Sequence, residues 1–401
     1  MQGLFQKINI DYKKGMHIPG LDGLRGALMI TVLLYHFFNI PYAAWYAMDC
    51  FFVLSGFLIT GILIDSRKTK HYFKNYIARR MLRILPLYYG VLIVFFLIVP
   101  LIVSESKLAP FSIYYDNQAY FWGYLQNWIL LIKEADLKGV SRIFLHLWSL
   151  AVEEQFYIVW PFLVLLFSTR NLVKIILLLI AFSIGIKCYY FFSGYTWQYT
   201  YFNTFARLDA LCVGGLLAIA VRDNYVTTIL EKIAPYIFKI LFVILFLAIM
   251  IARPRTPWPA GSLKGGLIHQ LLMPQGQFLL PFGNTIFAIF FAALILYCMS
   301  PHKNNIAKWL LELPILKFFG KYSYAMYIFH VPILALLRPG LAISLQEHMP
   351  KSIAFISSNL ICLILTLAAA LISWNLIEKP ALKLKRFFSY DMPKRKHVVH
   401  Q

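Results

Sequence analysis

Long apolar stretches alternate with short polar connections along the whole chain. Ten of these stretches have about the length needed to cross a bilayer as an α-helix, roughly 20 residues. They lie at about 23–40, 48–65, 84–103, 146–167, 171–192, 206–221, 236–252, 279–299, 318–337 and 353–377. The pattern therefore predicts an all-α membrane protein with about ten transmembrane helices.

Composition agrees with this prediction. Hydrophobic residues make up 60% of the 401 residues, charged residues make up 14%, and the mean hydropathy is +0.67. These values exclude a soluble globular protein, and the spans leave no room for a sizeable soluble domain. We expect a cytoplasmic N-terminal segment (1–18), a ten-helix membrane domain (19–380) and a basic cytoplasmic tail (381–401).

The formal net charge of +21 comes from Lys and Arg residues that are concentrated in alternate connections. Nucleic acid is not an expected partner, because a nucleic-acid-binding protein gathers such residues on one water-exposed face. Positive charge in alternate connections marks the cytoplasmic side, so we expect both termini inside and a multi-pass protein of the inner (plasma) membrane. Anionic membrane lipids are the expected partners of the basic clusters.

Two outer connections, 104–145 and 253–278, are longer than the others. The first is rich in Trp and Tyr, as interfacial segments are, and the second is rich in Pro and Gly, as ordered loops are. We expect them to form the walls of a cleft that is open to the outside. The five cysteines stand singly in apolar segments, so neither a disulfide framework nor a metal site is expected.

Two ionisable residues flank the first short outer connection. His36 lies near the outer end of the first span, and Asp49 begins the second, so a tight hairpin would place both at one depth. Ionisable residues within a membrane are functional by default, and a carboxylate beside an imidazole supports a general base. Packing alone explains many lone histidines near helix ends, but the matching depth of Asp49 favours a catalytic pair.

Further ionisable residues are expected at the same outer level. Glu153 and Glu154 lie in the fourth span, Arg207 and Asp209 in the sixth, and His330 in the ninth. Each alone is more often a snorkelling or satisfied polar residue. Together they predict a polar pocket that could hold sugar hydroxyls.

The inner side has a different character. Arg80 and Arg83 are one helical turn apart just before the third span, and Arg25 lies on the inner part of the first span. Paired guanidinium groups bind phosphate in a bidentate manner that lysines cannot match. Cytoplasmic arginines also occur as plain topological anchors, so the spacing leaves both interpretations open.

Seven segments together closely resemble the acyltransferase-3 family of integral membrane O-acyltransferases. In chain order they are LDGLRG (21–26) with YH (35–36), DCFFVLSGFLIT (49–60), RRMLRILPLYY (79–89), LWSLAVEEQFYIVWP (147–161), RLDALCVGG (207–215), GKYSYAMYIFHVPI (320–333) and IEKP (377–380). Any one of them would be a weak signal. Their order is that of the family, and they cover nearly the whole chain.

The resemblance implies a membrane enzyme that moves an acyl group, usually acetyl, from cytoplasmic acyl-CoA to a hydroxyl group. It implies that His36 is the essential histidine and that Arg80 and Arg83 bind acyl-CoA. Arg25 matches the arginine of the first family motif, and Glu153 matches the first glutamate of the Trp-Ser motif. We expect acetyl-CoA as donor, no metal, and a cell-envelope glycan as acceptor, with the lipopolysaccharide O-chain as first choice and peptidoglycan as second.

A transporter or lipid-linked glycan flippase is the main alternative. It would use His36 and His330 as proton-relay groups, and it has no evident need for the inner arginines. A structural or sensor protein is the second alternative. Release of free CoA from acetyl-CoA in the presence of an acceptor would distinguish the enzyme from both.

Overall fold

The computed structural model describes residues 20–40, 45–132, 143–251, 280–299 and 306–390. These residues form helices and no strands, which confirms the predicted all-α class. The long helices are α1 (Leu21–Phe38), α2 (Ala47–Ser66), α3 (Tyr72–Ile93), α4 (Trp148–Leu166), α5 (Thr169–Phe192), α6 (Thr204–Ala220), α7 (Asn224–Ile251), α8 (Leu280–Met299), α9 (Pro314–Gln346) and α10 (Lys351–Ser373). The predicted N-terminal segment 1–18, the outer connection 253–278 and the end of the tail lie outside the described residues.

The ten long helices of the described ranges follow the order of the ten predicted spans. Within the described ranges, 8 helical segments are long and apolar enough to cross a membrane. Helices α6 and α7 are not among them, and α6 has 17 residues. The number of spans and the inside position of both termini remain predictions.

Helix α3 begins at Tyr72, well before the predicted start of the third span at 84. Hydropathy falls at the basic residues, but no Gly or Pro interrupts the chain between Tyr72 and Arg83, so the helix continues through them. After α3 the chain passes through a π-helical turn (Val94–Ile98) into a last helical turn (Val99–Ile102). The arginine pair is therefore part of a long helix and does not lie in a connection.

Glycines allow the central helices to pack backbone to backbone. A Cβ atom on Gly56 of α2 would lie 1.9 Å from the carbonyl oxygen of Leu211 in α6, and one on Gly214 of α6 would lie 2.1 Å from that of Val53. Gly26 of α1 meets α9 in the same way. Small residues at such crossings are the usual means by which membrane helices approach closely. They fix α2 against α6 and α1 against α9.

The long connection after α3 is folded onto that helix. It contains short helices, among them Gln118–Trp122 and Gln126–Ile132. Tyr88 donates a hydrogen bond to the carbonyl oxygen of Phe121 (2.8 Å), and Tyr89 donates one to that of Trp122 (3.1 Å). This aromatic layer supports one side of the helix that carries the arginine pair.

Candidate active site

A pocket opens between α1, α2, α3, α4 and α9. It holds about 830 Å³ of empty space, its open mouth included. Cationic, acidic and hydroxyl side chains line it together with apolar ones. The polar residues that line it are Arg25, Ser55, Arg80, Arg83, Ser149, Glu153, Tyr157, Ser323, Tyr324 and Tyr327.

All three arginines expected to bind the donor line this pocket. Arg25 is ion-paired with Asp22 at 3.2 Å. The guanidinium of Arg80 lies over the ring of Tyr157, 3.8 Å from its centroid, and its Nε is buried without a hydrogen-bond partner. Among the described residues, neither Arg80 nor Arg83 has a carboxylate within ion-pair distance. Unpaired cations at the wall of a pocket favour an anionic ligand.

Glu153 lies in the same pocket as the arginines. Its Oε1 accepts a hydrogen bond from Ser55 Oγ at 2.5 Å. The sequence placed Glu153 and Glu154 in an outer pocket, separate from the inner arginines. The structure corrects this for Glu153, because α4 runs beside α3 and brings the carboxylate to the level of Arg80. Glu154 is not among the lining residues, and its Oε1 is buried without a partner.

Tyr327 connects the pocket to a group of histidines. Its hydroxyl lies 2.7 Å from Ser149 Oγ and donates a hydrogen bond to the carbonyl oxygen of His146. Its ring contacts the rings of His146 and His330, with centroid distances of 5.2 and 5.6 Å. The pocket is therefore one side chain away from the imidazoles.

Three histidines from different segments form a continuous cluster. The ring of His330 lies between those of His36 and His146, at centroid distances of 4.8 and 4.9 Å. His330 Nδ1 lies 2.8 Å from the carbonyl oxygen of Tyr327, so this nitrogen carries the proton, since a carbonyl oxygen can only accept. Its Nε2 is buried without a partner. Sequence reasoning did not select His146, although it precedes the Trp-Ser motif directly.

The position of His36 follows from the end of its helix. Asn39 adopts the left-handed conformation, with φ of 57°, and its backbone N–H closes the last turn of α1 on the Tyr35 carbonyl oxygen at 2.8 Å. Asn is one of the few residues that adopt this conformation readily. The helix thus ends at Phe38, two residues after His36, and the imidazole lies half-buried near the C-terminal end of α1.

The predicted pair of Asp49 and His36 is wrong. Asp49 Oδ1 is ion-paired with Arg207 Nη2 at 2.7 Å, and its Oδ2 accepts a hydrogen bond from Asn284 at 3.1 Å. Helix α2 packs along α6, so Asp49 faces Arg207. The ring of His330 takes the place beside His36 that the sequence assigned to a carboxylate.

The sequence predicted Arg207 and Asp209 in a polar pocket for sugar hydroxyls, but neither is among the residues that line the described pocket, and both are fully buried. Three aromatic rings surround the Arg207 guanidinium at 5.3 to 5.8 Å. Asp209 is ion-paired with Lys187 at 2.6 Å and accepts a hydrogen bond from Thr285 at 2.5 Å. Sequence reasoning missed Lys187, although a single lysine within an apolar span is itself a signal of a buried partner.

Comparison with known proteins gives a consistent result. A family profile described as an acyltransferase domain matches residues 18–375. The chain is 26% identical over 394 residues to O-acetyltransferase OatA of Staphylococcus aureus (strain NCTC 8325). The aligned region covers 95% of this chain and 60% of that protein. The chain is 28% identical over 409 residues to the putative peptidoglycan O-acetyltransferase YrhL of Bacillus subtilis (strain 168). That aligned region covers 97% of this chain and 58% of the relative. No solved structure matches the chain. The chain thus spans about 60% of the length of these curated relatives.

Proposed function

Because the chain belongs to the acyltransferase-3 family, we propose that it is a membrane O-acetyltransferase. It transfers an acetyl group from acetyl-CoA to a hydroxyl group of a cell-envelope glycan. One observation carries the proposal: the wall of a single pocket holds Arg80 and Arg83, which have no ion-pair partner among the described residues, and the pocket reaches a cluster of three histidines through Tyr327. Such a pocket suits a ligand with phosphates at one end and a reactive acyl group at the other.

In this proposal Arg80 and Arg83 bind the phosphates of acetyl-CoA, with Arg25 beside them. Arg25 and His36 are eleven residues apart on α1, which is a rise of roughly 16 Å at 1.5 Å per residue. That is about half of the ~30 Å hydrocarbon core, a distance over which the pantetheine arm would reach. The thioester would thereby be held away from bulk water, which protects it from hydrolysis.

His36 acts as the general base. It accepts the proton of the acceptor hydroxyl, and the oxygen attacks the carbonyl carbon of the thioester. The carbon–sulfur bond breaks, and the CoA thiolate leaves and takes up the proton from the imidazolium. His330, with its proton fixed on Nδ1, presents a free Nε2 in the same cluster and supports His36 in the role first expected of Asp49.

The acceptor is proposed to be a cell-wall glycan hydroxyl. The name of the Bacillus subtilis relative specifies peptidoglycan, so we place peptidoglycan before the lipopolysaccharide O-chain.

Purified protein in liposomes tests this function. With acetyl-CoA and muropeptides or O-chain oligosaccharides, the wild type should release free CoA and form an acetylated glycan. His36→Ala should lower the rate by ~10²–10⁴-fold, the usual contribution of a general base, without loss of folded protein. Near-normal product from a well-folded His36→Ala variant would contradict the assignment. Absence of acetyl-CoA-dependent product with every acceptor would favour the transporter or flippase instead.

A further inference from the structure

After α10 the chain does not leave the membrane domain. It forms a π-helical turn (Trp374–Glu378), a short helix (Lys379–Lys383) and a 3₁₀ turn (Leu384–Phe387). All three elements pack on α3. We call residues 379–390 the C-terminal segment. It lies against the part of α3 that carries the arginines.

Two side chains of α3 hold the C-terminal segment in place. Asn75 Nδ2 donates a hydrogen bond to the Ser389 carbonyl oxygen at 2.7 Å, and Arg79 Nη1 donates one to the Lys385 carbonyl oxygen at 3.2 Å. The Arg79 guanidinium also lies 5.5 Å from the ring centroid of Tyr390. Burial raises the pKa of the Tyr390 phenol to about 12, so this ring stays neutral at physiological pH. The first part of the tail is thus fixed in position.

Lys385 differs from the other basic residues of this segment. Lys383 and Arg386 are exposed, as expected for residues that contact water or lipid headgroups, whereas Lys385 is half-buried. Its side chain lies within electrostatic range of Arg79, Arg80 and Arg83. In the described part of the chain, Lys385 has no ion-pair partner, as Arg80 and Arg83 have none. Attraction to anionic lipid does not explain a half-buried lysine that packs beside three arginines.

Like charges repel, and the repulsion is stronger where water is partly excluded. Glu153 and Glu154 lie within electrostatic range of Arg80, and Glu378 and Asp22 within that of Arg83, but among the described residues no carboxylate forms an ion pair with either arginine. The buried, unpartnered Nε of Arg80 is a second sign that this group of cations is incomplete without an anion. A phosphate group beside Arg80 and Arg83 would supply such an anion within electrostatic range of Lys385.

We propose that Lys385 is a donor-binding residue, which the C-terminal segment presents to a phosphate group held by Arg80 and Arg83. This inference rests on the proposed function, because acetyl-CoA supplies the phosphates. The shared chemistry is that of a phosphate ester, and an anionic lipid headgroup is the other possible source of it. Lys385 therefore affects binding of the donor and leaves the chemical step unchanged.

Steady-state kinetics of Lys385→Gln in liposomes test the proposal, with Lys383→Gln as the matched control. Loss of one charge-assisted contact should raise the KM for acetyl-CoA by roughly tenfold or more, with kcat unchanged. Lys385→Arg should restore most of the affinity, and Lys383→Gln should match the wild type. With S-acetylpantetheine, which lacks the nucleotide phosphates, wild type and Lys385→Gln should behave alike.

The lipid alternative gives the opposite results. If Lys385 binds a headgroup, its effect will persist with S-acetylpantetheine and will disappear in vesicles of phosphatidylcholine alone. Either result overturns the proposal, as does an unchanged KM in a folded Lys385→Gln variant. A wild-type protein that releases no CoA from acetyl-CoA would instead contradict the proposed function itself.

Discussion

The Arg207 guanidinium is bound to one carboxylate and is otherwise enclosed by the rings of Phe52, Trp148 and Tyr201. Phe52 also lines the pocket. A charge in such a place is tolerated only because its partner is present, since an unpaired ion in a medium of low polarity costs several kcal/mol. The pair with Asp49 thus stabilises one wall of the candidate site without contacting the reacting groups.

A double-mutant cycle tests this structural role. Asp49→Asn should lower the free energy of unfolding by ~3–5 kcal/mol, because it leaves Arg207 buried and unpaired. The double variant Asp49→Asn/Arg207→Gln should be more stable than the single one, since no unpaired charge remains. Thermal unfolding in detergent micelles measures both. Full stability of Asp49→Asn combined with loss of acetyl transfer would instead indicate that Asp49 acts on the substrate.

The arginine pair gives a second test at this scale. Lysine keeps the charge and loses the planar fork, so Arg80→Lys and Arg83→Lys should each weaken acetyl-CoA binding by several-fold or more. Lys68→Ala and Lys70→Ala are suitable controls, because both side chains are exposed on the connection after α2. Equal affinity for CoA in all four variants would mean that the arginine pair serves only as a topological anchor and does not bind the donor.

The sequence could predict the level of an ionisable residue along its helix. It could not predict which neighbouring helix the side chain faces. Counting residues placed His36, Asp49 and Arg207 near one level, and Asp49 does meet Arg207. Which side of a helix faces which neighbour depends on packing. One signal was present: Gly56 follows Asp49 by seven residues and Gly214 follows Arg207 by seven, two helical turns, so each pair shares a face. Reading those faces together would have predicted the ion pair.

Among the elements, α2 and α6 form one of the close backbone contacts, as α1 and α9 do. The Gly56 backbone meets the Leu211 carbonyl, so an added methyl group has no space unless the helices separate. The order of the helices and their approximate positions followed from hydropathy. The start of α3 could not be predicted in this way. A hydropathy profile shows where an apolar stretch ends, but it does not show whether the helix continues through charged residues.

Two glycine variants should differ in their effect on the free energy of unfolding. Gly56→Ala should lower the free energy of unfolding by ~1–3 kcal/mol or more through overpacking. Gly185→Ala in α5 has nothing within 4 Å of the added methyl group, so it should be neutral or gain up to ~1 kcal/mol of helix propensity. Thermal unfolding of the two variants under the same conditions checks the comparison. A stable Gly56→Ala protein would contradict the close α2–α6 contact.

For the whole molecule, the distribution of charge predicts that donor and acceptor approach from opposite sides. In sealed vesicles of known orientation, acetyl-CoA on the cytoplasmic face should support acetylation of an impermeant glycan held on the other face. Product that forms only with both substrates on the cytoplasmic face would mean that His36 is reached from within.

Cysteine labelling checks the orientation independently. Thr69→Cys, after α2, should react with an impermeant reagent from the cytoplasmic face, and Ser106→Cys, after α3, from the outer face. Cys188 is the one native cysteine of the described residues that is not fully buried, so a Cys188→Ser background is suitable. Reaction of both positions from one face would contradict the predicted topology.

The ion pair between α2 and α6 also has a consequence for how the protein is made. Asp49 and Arg207 are separated by 158 residues, and ribosomes add ~5–20 residues per second. The α2 carboxylate is therefore synthesised on the order of ten seconds before its guanidinium partner. During that interval it lies in the first turn of α2 without the guanidinium that compensates its charge. Final docking of α2 has to wait for α6, so chains truncated before residue 207 should be degraded more rapidly than those truncated after α6.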